Sequence, residues 1–219
     1  TVGTDEWDLI GSPVDGLDIN QFVSDNSGVI ATNGVQYALG AYNNSNNTWS
    51  NYTSDGSLAG NVSSAGNFDI GKGYQMGTTS GATMAFTGTI ATSDQTQSII
   101  NNHGNGSGTR WNLVANPYPS YLNANTNAHA TNNLLSVNSS VIDSNYLAVY
   151  GYDADGSGYT IYNNTTGATY IAPGQGFMVA ASSSSAADLS FTEAMQTTSG
   201  GDDFISGDIM ESTEVVVKL

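Results

Sequence analysis

The chain has 219 residues, 38% of them hydrophobic, and carries 19 Asp and Glu against 3 Lys and Arg, a formal charge of −16. That balance repels polyanions, which sets nucleic acid and anionic lipid aside as partners and favours a cation or a neutral molecule; the plainer reading is that the charge keeps a secreted surface soluble. No cysteine is present, so disulfides, thiol nucleophiles and cysteine-bound zinc are excluded, and no apolar run approaches the roughly 20 residues that cross a bilayer.

In chain order, the opening TVGTDEWDLIG lacks the basic and apolar regions of a signal peptide, so a mature fragment of a soluble protein is expected. A strand begins at Trp7 and ends at GSPVDG, where Pro13 has no N–H to give a ladder. An Asn- and Ser-rich excursion, Ile19 to Gly34, reads mostly as loop. GAYNNSNNTWSNYT, Gly40 to Thr53, is aromatic, turn, aromatic: a hairpin. FDIGKGYQM leads through Gly71 and Gly73 into a strand at Tyr74, and strands are expected again in ATMAFTGTI (Ala82 to Ile90) and TQSII (Thr96 to Ile100). After the glycine-rich NNHGNGSG, Asn101 to Gly108, the series starts over. RWNLVANPYPSYLN gives a strand through Val114 that is stopped by Pro117 and Pro119, with Asn116 placed to bond the local backbone. The excursion Leu122 to Ser144 holds NLLSV, enough for one helical turn. YGYDADGSGYTIYN is a second hairpin, YIAPGQGFMV a second glycine-led strand, ADLSFTEAM another strand, and TEVVVKL, Thr213 to Leu219, the last.

Aligned on Trp7 and Trp111, these motifs recur in one order: Tyr42 with Tyr152, Trp49 with Tyr159, Tyr52 with Tyr162, Gly71 with Gly174, Gly73 with Gly176, Tyr74 with Phe177, Phe86 with Phe191 and Thr96 with Thr213. Matches kept in register along a chain are the mark of a repeated unit. The expected fold is all-β, as two tandem, duplicated β-sandwich or jelly-roll-like domains, residues 1–104 and 105–219; a single fused sandwich is the alternative. Trp7 and Trp111, Tyr74 and Phe177, and Phe86 and Phe191 are expected to coincide and to face the core.

The set WNLVANPYPSYLN, YGYDADGSGYTIYN, IAPGQGFMV and LSFTEAM resembles a module repeated in large secreted proteins of Bacteroidetes, especially flavobacteria, upstream of the C-terminal sorting domain of type IX secretion. The resemblance is strong from Trp111 to Leu219 and weaker from Trp7 to Thr92, where the Pro-Tyr-Pro and the proline before Gly71 are missing. It implies an extracellular or cell-surface location and the other domains of the same secreted protein as partners. It implies no activity, since such modules accompany adhesins, proteases and polysaccharide-degrading enzymes alike.

For catalysis the residues offer little: His103 lies in the glycine-rich stretch, His129 in a polar excursion, and neither spacing nor context pairs a base with a nucleophile. Asp5, Glu6, Asp8, Glu193, Asp202 and Asp203 are carboxylates a glycosidase could use, but nothing pairs two of them across a cleft. YDADGSGY places Asp153, Asp155 and Ser157 as oxygen donors at alternate residues around glycines, the opening pattern of a calcium loop. Asp-Gly is equally an ordinary hairpin turn. Period two along Leu147 to Tyr152 puts Tyr150 and Tyr152 on one face; with Tyr162 and, in the first copy, Tyr42, Trp49 and Tyr52, these rings could stack on a neutral glycan or fill cross-strand pairs. The expectation is a non-enzymatic structural or adhesion module without membrane insertion, with a carbohydrate-binding module that targets an attached enzyme as the alternative. An exposed aromatic platform favours the second; buried rings favour the first.

Overall fold

The computed structural model describes residues 7–57, 60–79, 83–153 and 158–200, with Asp153 described in its backbone alone. The first half runs β1 (Trp7–Ile10), helix α1 (Ile19–Asp25), β2 (Thr32–Asn33), β3 (Gln36–Asn43), β4 (Thr48–Thr53), β5 (Tyr74–Gly77) and β6 (Gln95–Ile99). The second runs β7 (Trp111–Ala115), β8 (Tyr121–Asn123), helix α2 (Leu134–Val137), β9 (Val149–Asp153), β10 (Gly158–Tyr162), β11 (Tyr170–Ile171), β12 (Gly176–Ala180), β13 (Ala187–Phe191) and β14 (Gln196–Thr197). Strand accounts for 39% against 11% helix, in several antiparallel sheets, so the all-β expectation holds at that level.

Four strands of the five-stranded first sheet have the same order as the four-stranded second sheet. In the first sheet β5 lies between β1 and β3, and β3 also pairs β4; in the second β12 lies between β7 and β9, and β9 also pairs β10. Trp7 stands opposite Gly77 and Ile10 opposite Tyr74, as Trp111 stands opposite Ala180 and Val114 opposite Phe177. Gly40 faces Gln75 and Tyr42 faces Trp49, as Tyr150 faces Met178 and Tyr152 faces Tyr159. A one-residue slip anywhere would turn every following side chain to the other face.

The excursions are more ordered than a loop. Asp18 caps α1 by accepting from the Gln21 N–H, and Ile19, Phe22 and Val23 supply a buried stripe at i, i+3, i+4. The turn at NLLSV is α2, as expected. Each helix ends on a buried asparagine. Asn26 Nδ2 donates to the carbonyls of Phe22 (2.8 Å) and Ala85 (3.0 Å), and its Oδ1 accepts from the Ala85 N–H at 2.8 Å. Asn138 does the same with Leu134, Ser190 and Ser190 N–H, at 2.9, 2.9 and 2.7 Å. Beyond each, Ile30 bridges Thr78 and Ile142 bridges Ala181.

Each half has its own core: Ile10, Phe22, Leu39, Tyr74 and Met76 in the first, Val114, Leu134, Val149, Phe177, Leu189 and Phe191 in the second. Ile99 of β6 belongs to the second core, because β6 pairs with β13 and with no described strand of its own half. The halves also meet at the ends of β1 and β7 by matched contacts. Ile10 bridges Gln175 and Val114 bridges Lys72; the Gly11 N–H donates to Gly174 O at 2.8 Å and the Ala115 N–H to Gly71 O at 2.9 Å. At the centre a methyl on Gly11 would lie 2.2 Å from the Ala115 Cβ, so glycine is required there. The glycine-rich NNHGNGSG is tied down on both sides: Asn101 N–H donates to Ser183 O and Thr109 N–H to Asn44 O.

Two expectations are corrected. The Trp rings do not face the half-cores: Trp7 is 39% exposed and Trp111 half-buried, since β1 and β7 turn Leu9 and Leu113, on the Trp face of each strand, toward a third cluster between the halves. Tyr74, Phe177 and Phe191 are buried as expected, while Phe86 is only half-buried. The segment ATMAFTGTI forms no ladder strand among its described residues, 83–90; Asn26 occupies one side of it and no described strand lies on the other. The strand expected at Thr213 to Leu219 lies outside the described residues.

Candidate functional site

The third cluster is the floor of an aromatic seam. Leu9 of β1, Leu113 of β7 and Met178 of β12 are buried there, and Tyr42, Trp111, Tyr150 and Tyr152 pack on them. The alternation in β9 explains the last two: Val149 enters the second core while Tyr150 and Tyr152 face the other way. Above the floor the two hairpins repeat one arrangement. Tyr42 packs on its cross-strand neighbour Trp49 with ring centroids 4.8 Å apart, and Tyr152 on Tyr159 at 5.4 Å. Trp49 is 38% and Tyr159 45% exposed while Tyr42 and Tyr152 are half-buried, so each hairpin packs one ring on the floor and offers the next to solvent.

At one end of the seam Trp111 meets Tyr150 at 4.6 Å and Tyr146 at 5.7 Å, both edge to face. Arg110 lies over the Tyr146 ring at 4.8 Å and donates to Asp143 Oδ2 at 2.7 Å. The Asn145 N–H, and then Arg110, hold the Asp143 carboxyl below the usual range, which keeps the pair charged. At the other end the Tyr42 hydroxyl donates to Asn47 Oδ1 at 2.8 Å, and burial pushes its pKa up. Asn44, at the tip of the same hairpin, donates to Ile100 O and Asn112 Oδ1, which fixes the tip against the start of β7. Burial also raises Tyr150 and Tyr159, so these two phenols, like that of Tyr42, stay neutral donors at physiological pH.

Of the six rings expected to meet a glycan, four gather in the seam: Tyr42, Trp49, Tyr150 and Tyr152. Tyr52 and Tyr162 do not, because they lie on the opposite faces of their strands and pack against the first and second cores. The sequence reading left out Tyr159, Trp111 and Tyr146. Tyr159 was legible as the cross-strand partner of Tyr152; Tyr146 was not, since it sits in a 3-10 turn whose direction no periodicity fixes.

For the calcium loop, residues 154–157 and the Asp153 side chain lie outside the described residues; the described part is the Asp153–Gly158 pair that closes the hairpin. Among the described residues no group of three or more His, Asp and Glu side chains could hold a metal ion. His103 is an exposed turn residue, and His129 Nδ1 accepts from the N–H groups of Thr131 and Asn132. A concavity of ≈ 370 Å³ beside α1 is lined by Asn20, Val23, Ser24, Ile30, Thr32 and Tyr37 among others, with no carboxylate or histidine in its wall. No helix among the described residues is long and apolar enough to cross a membrane. No family model, curated protein or solved structure matches the chain.

Proposed function

We propose that the chain is a non-catalytic structural and adhesion module of a secreted or cell-surface multidomain protein, made of two copies of one β unit related by an approximate two-fold axis at Gly11 and Ala115. The observation that carries this reading is the reciprocal set of contacts at that axis, Ile10 with Gln175 against Val114 with Lys72, together with the pairing of β6 into the second half. A unit whose halves share strands resists being pulled or hinged apart, which suits a spacer that displays its neighbours at a fixed angle. Export by a type IX pathway, and the other domains of that protein as partners, belong to the proposal through the resemblance of WNLVANPYPSYLN and IAPGQGFMV alone.

The seam favours a second reading, a carbohydrate-binding module. Trp49 and Tyr159 offer ring faces over an apolar floor, with Asn47 and the Tyr42 hydroxyl beside Trp49 as hydroxyl partners. Flat rings of this kind stack on the C–H faces of sugars, and neighbouring amides bond the hydroxyls. The proposed calcium ion at Asp153, Asp155 and Ser157 would sit at the tip of the same hairpin and stiffen it.

One experiment separates the readings: purified protein is assayed on neutral polysaccharides for reducing ends and for retention in affinity gels, in calcium and in chelator. The structural module is expected to give neither turnover nor retention. Retention that is lost in Trp49→Ala and Tyr159→Ala, with stability unchanged, establishes the binding module instead. Retention that weakens in chelator assigns the ion a role. Turnover abolished by changing a single Asp or Glu overturns both.

A further inference from the structure

The two halves differ at one sheet edge, and the difference identifies what is missing from it. In the second half Asn138 bonds both backbone groups of Ser190, so Leu189 and Phe191 turn theirs to the other side, where β6 pairs in the register Phe191 to Gln95, Leu189 to Gln97 and Ala187 to Ile99. Under β6, Leu189 and Phe191 are 0% exposed, and Ile99 packs in the same core. In the first half Asn26 bonds both backbone groups of Ala85 in the same way, which turns the backbone groups of Met84 and Phe86 outward. No described residue pairs with them, and Met84 and Phe86 are half-buried where their counterparts are fully buried. An edge of this kind is a template for a strand.

We propose that this edge takes Thr213–Val217 of the same chain, so that each half donates its last strand to the other. The occupant follows from the approximate two-fold axis: β6 leaves the first half to cover β13 of the second, and the same operation sends the segment that follows β13 back to Met84–Phe86. The sequence fits the register. With Thr213 in the place of Thr96, the residues facing the edge are Ser212, Glu214 and Val216, where β6 presents Gln95, Gln97 and Ile99: polar, polar, apolar in both. Val216 then takes the buried place of Ile99, and Thr213 stands opposite Ala85. The tether is long enough: Gly200 packs on Tyr121, and residues 201–212 reach about 40 Å when extended, beyond the radius of gyration of about 17 Å expected of a chain this size. The pairing depends on the equivalence of the halves and on nothing the aromatic seam binds.

The chain has no cysteine, so introduced pairs report without background. Ala85→Cys with Thr213→Cys places both thiols at a non-hydrogen-bonded pair, where Cβ atoms come closest. The full-length double variant is expected to oxidise to an internal disulfide, seen as a faster monomer on a non-reducing gel. The off-register pair Ala85→Cys with Glu214→Cys should lag at least tenfold. In parallel, hydrogen exchange on the unmodified protein is expected to protect the amides of Met84 and Phe86, and truncation after Gly200 to release them. A disulfide-linked dimer would assign the edge to a second copy and overturn the internal pairing. Unprotected Met84 and Phe86 amides in the full-length chain, or no oxidation, would overturn strand addition altogether.

Discussion

Gly11 follows β1, Ala115 ends β7, and the two meet where the halves touch, a glycine against a methyl. A Cβ at Gly11 would meet both the Ala115 Cβ at 2.2 Å and the Lys72 carbonyl at 2.8 Å, and the second neighbour is backbone. Gly11→Ala is therefore expected to destabilise the fold by about 1–3 kcal/mol, the usual cost of overpacking. The double variant Gly11→Ala, Ala115→Gly moves the methyl to the other side of the contact and is expected to recover at least half of that loss in a urea melt. Equal or additive losses would mean that the two positions do not share one space. The sequence contained this contact only as an alignment of glycine with alanine, which says nothing of distance. It contained the asparagine clamps more openly: SDNSGVI, Ser24 to Ile30, and SVNSSVI, Ser136 to Ile142, share Ser, Asn, Ser, Val and Ile in register. Polar composition hid them, because Asn and Ser signal loop when their side-chain partners are not known, and here the amides are buried and fully bonded.

At the scale of elements, the hairpins and the glycine-led strands were legible because an alternating aromatic pattern and a turn are both local signals. Helix α1 was not, since seven residues carry barely two turns of periodicity and the flanking Asn, Ser and Gly outweighed the stripe of Ile19, Phe22 and Val23. Nor was the destination of β6. Its sequence reads as a strand, but the choice between partners in its own half and in the other is made by tertiary contact alone. That choice is testable. Ile99 is 1% exposed and sits among Leu189 and Phe191 of the second core, so Ile99→Ala is expected to cost about 2–4 kcal/mol and to raise hydrogen exchange first in β13. Faster exchange confined to the first sheet, with β13 unchanged, would place β6 with its own half.

On the scale of the molecule, two separate cores are tied together by β6 and by the bridges at Ile10 and Val114, and the aromatic seam lies where the halves meet. The order of motifs along the chain was readable in the sequence; the way the halves grip each other was not, because both the bridges at Ile10 and Val114 and the pairing of β6 with β13 join residues far apart in sequence. The floor of the seam draws on β1, β7 and β12 together, so the surface that would meet a glycan exists only while the halves are joined. The most direct measurement of this arrangement is equilibrium urea unfolding of the intact chain, followed by hydrogen exchange resolved to β5 of the first half and β12 of the second. Interlocked halves are expected to lose protection together, in one transition with coincident midpoints at both strands. Two transitions, with β5 released well before or after β12, would contradict the account and return the molecule to a pair of independent domains on a string.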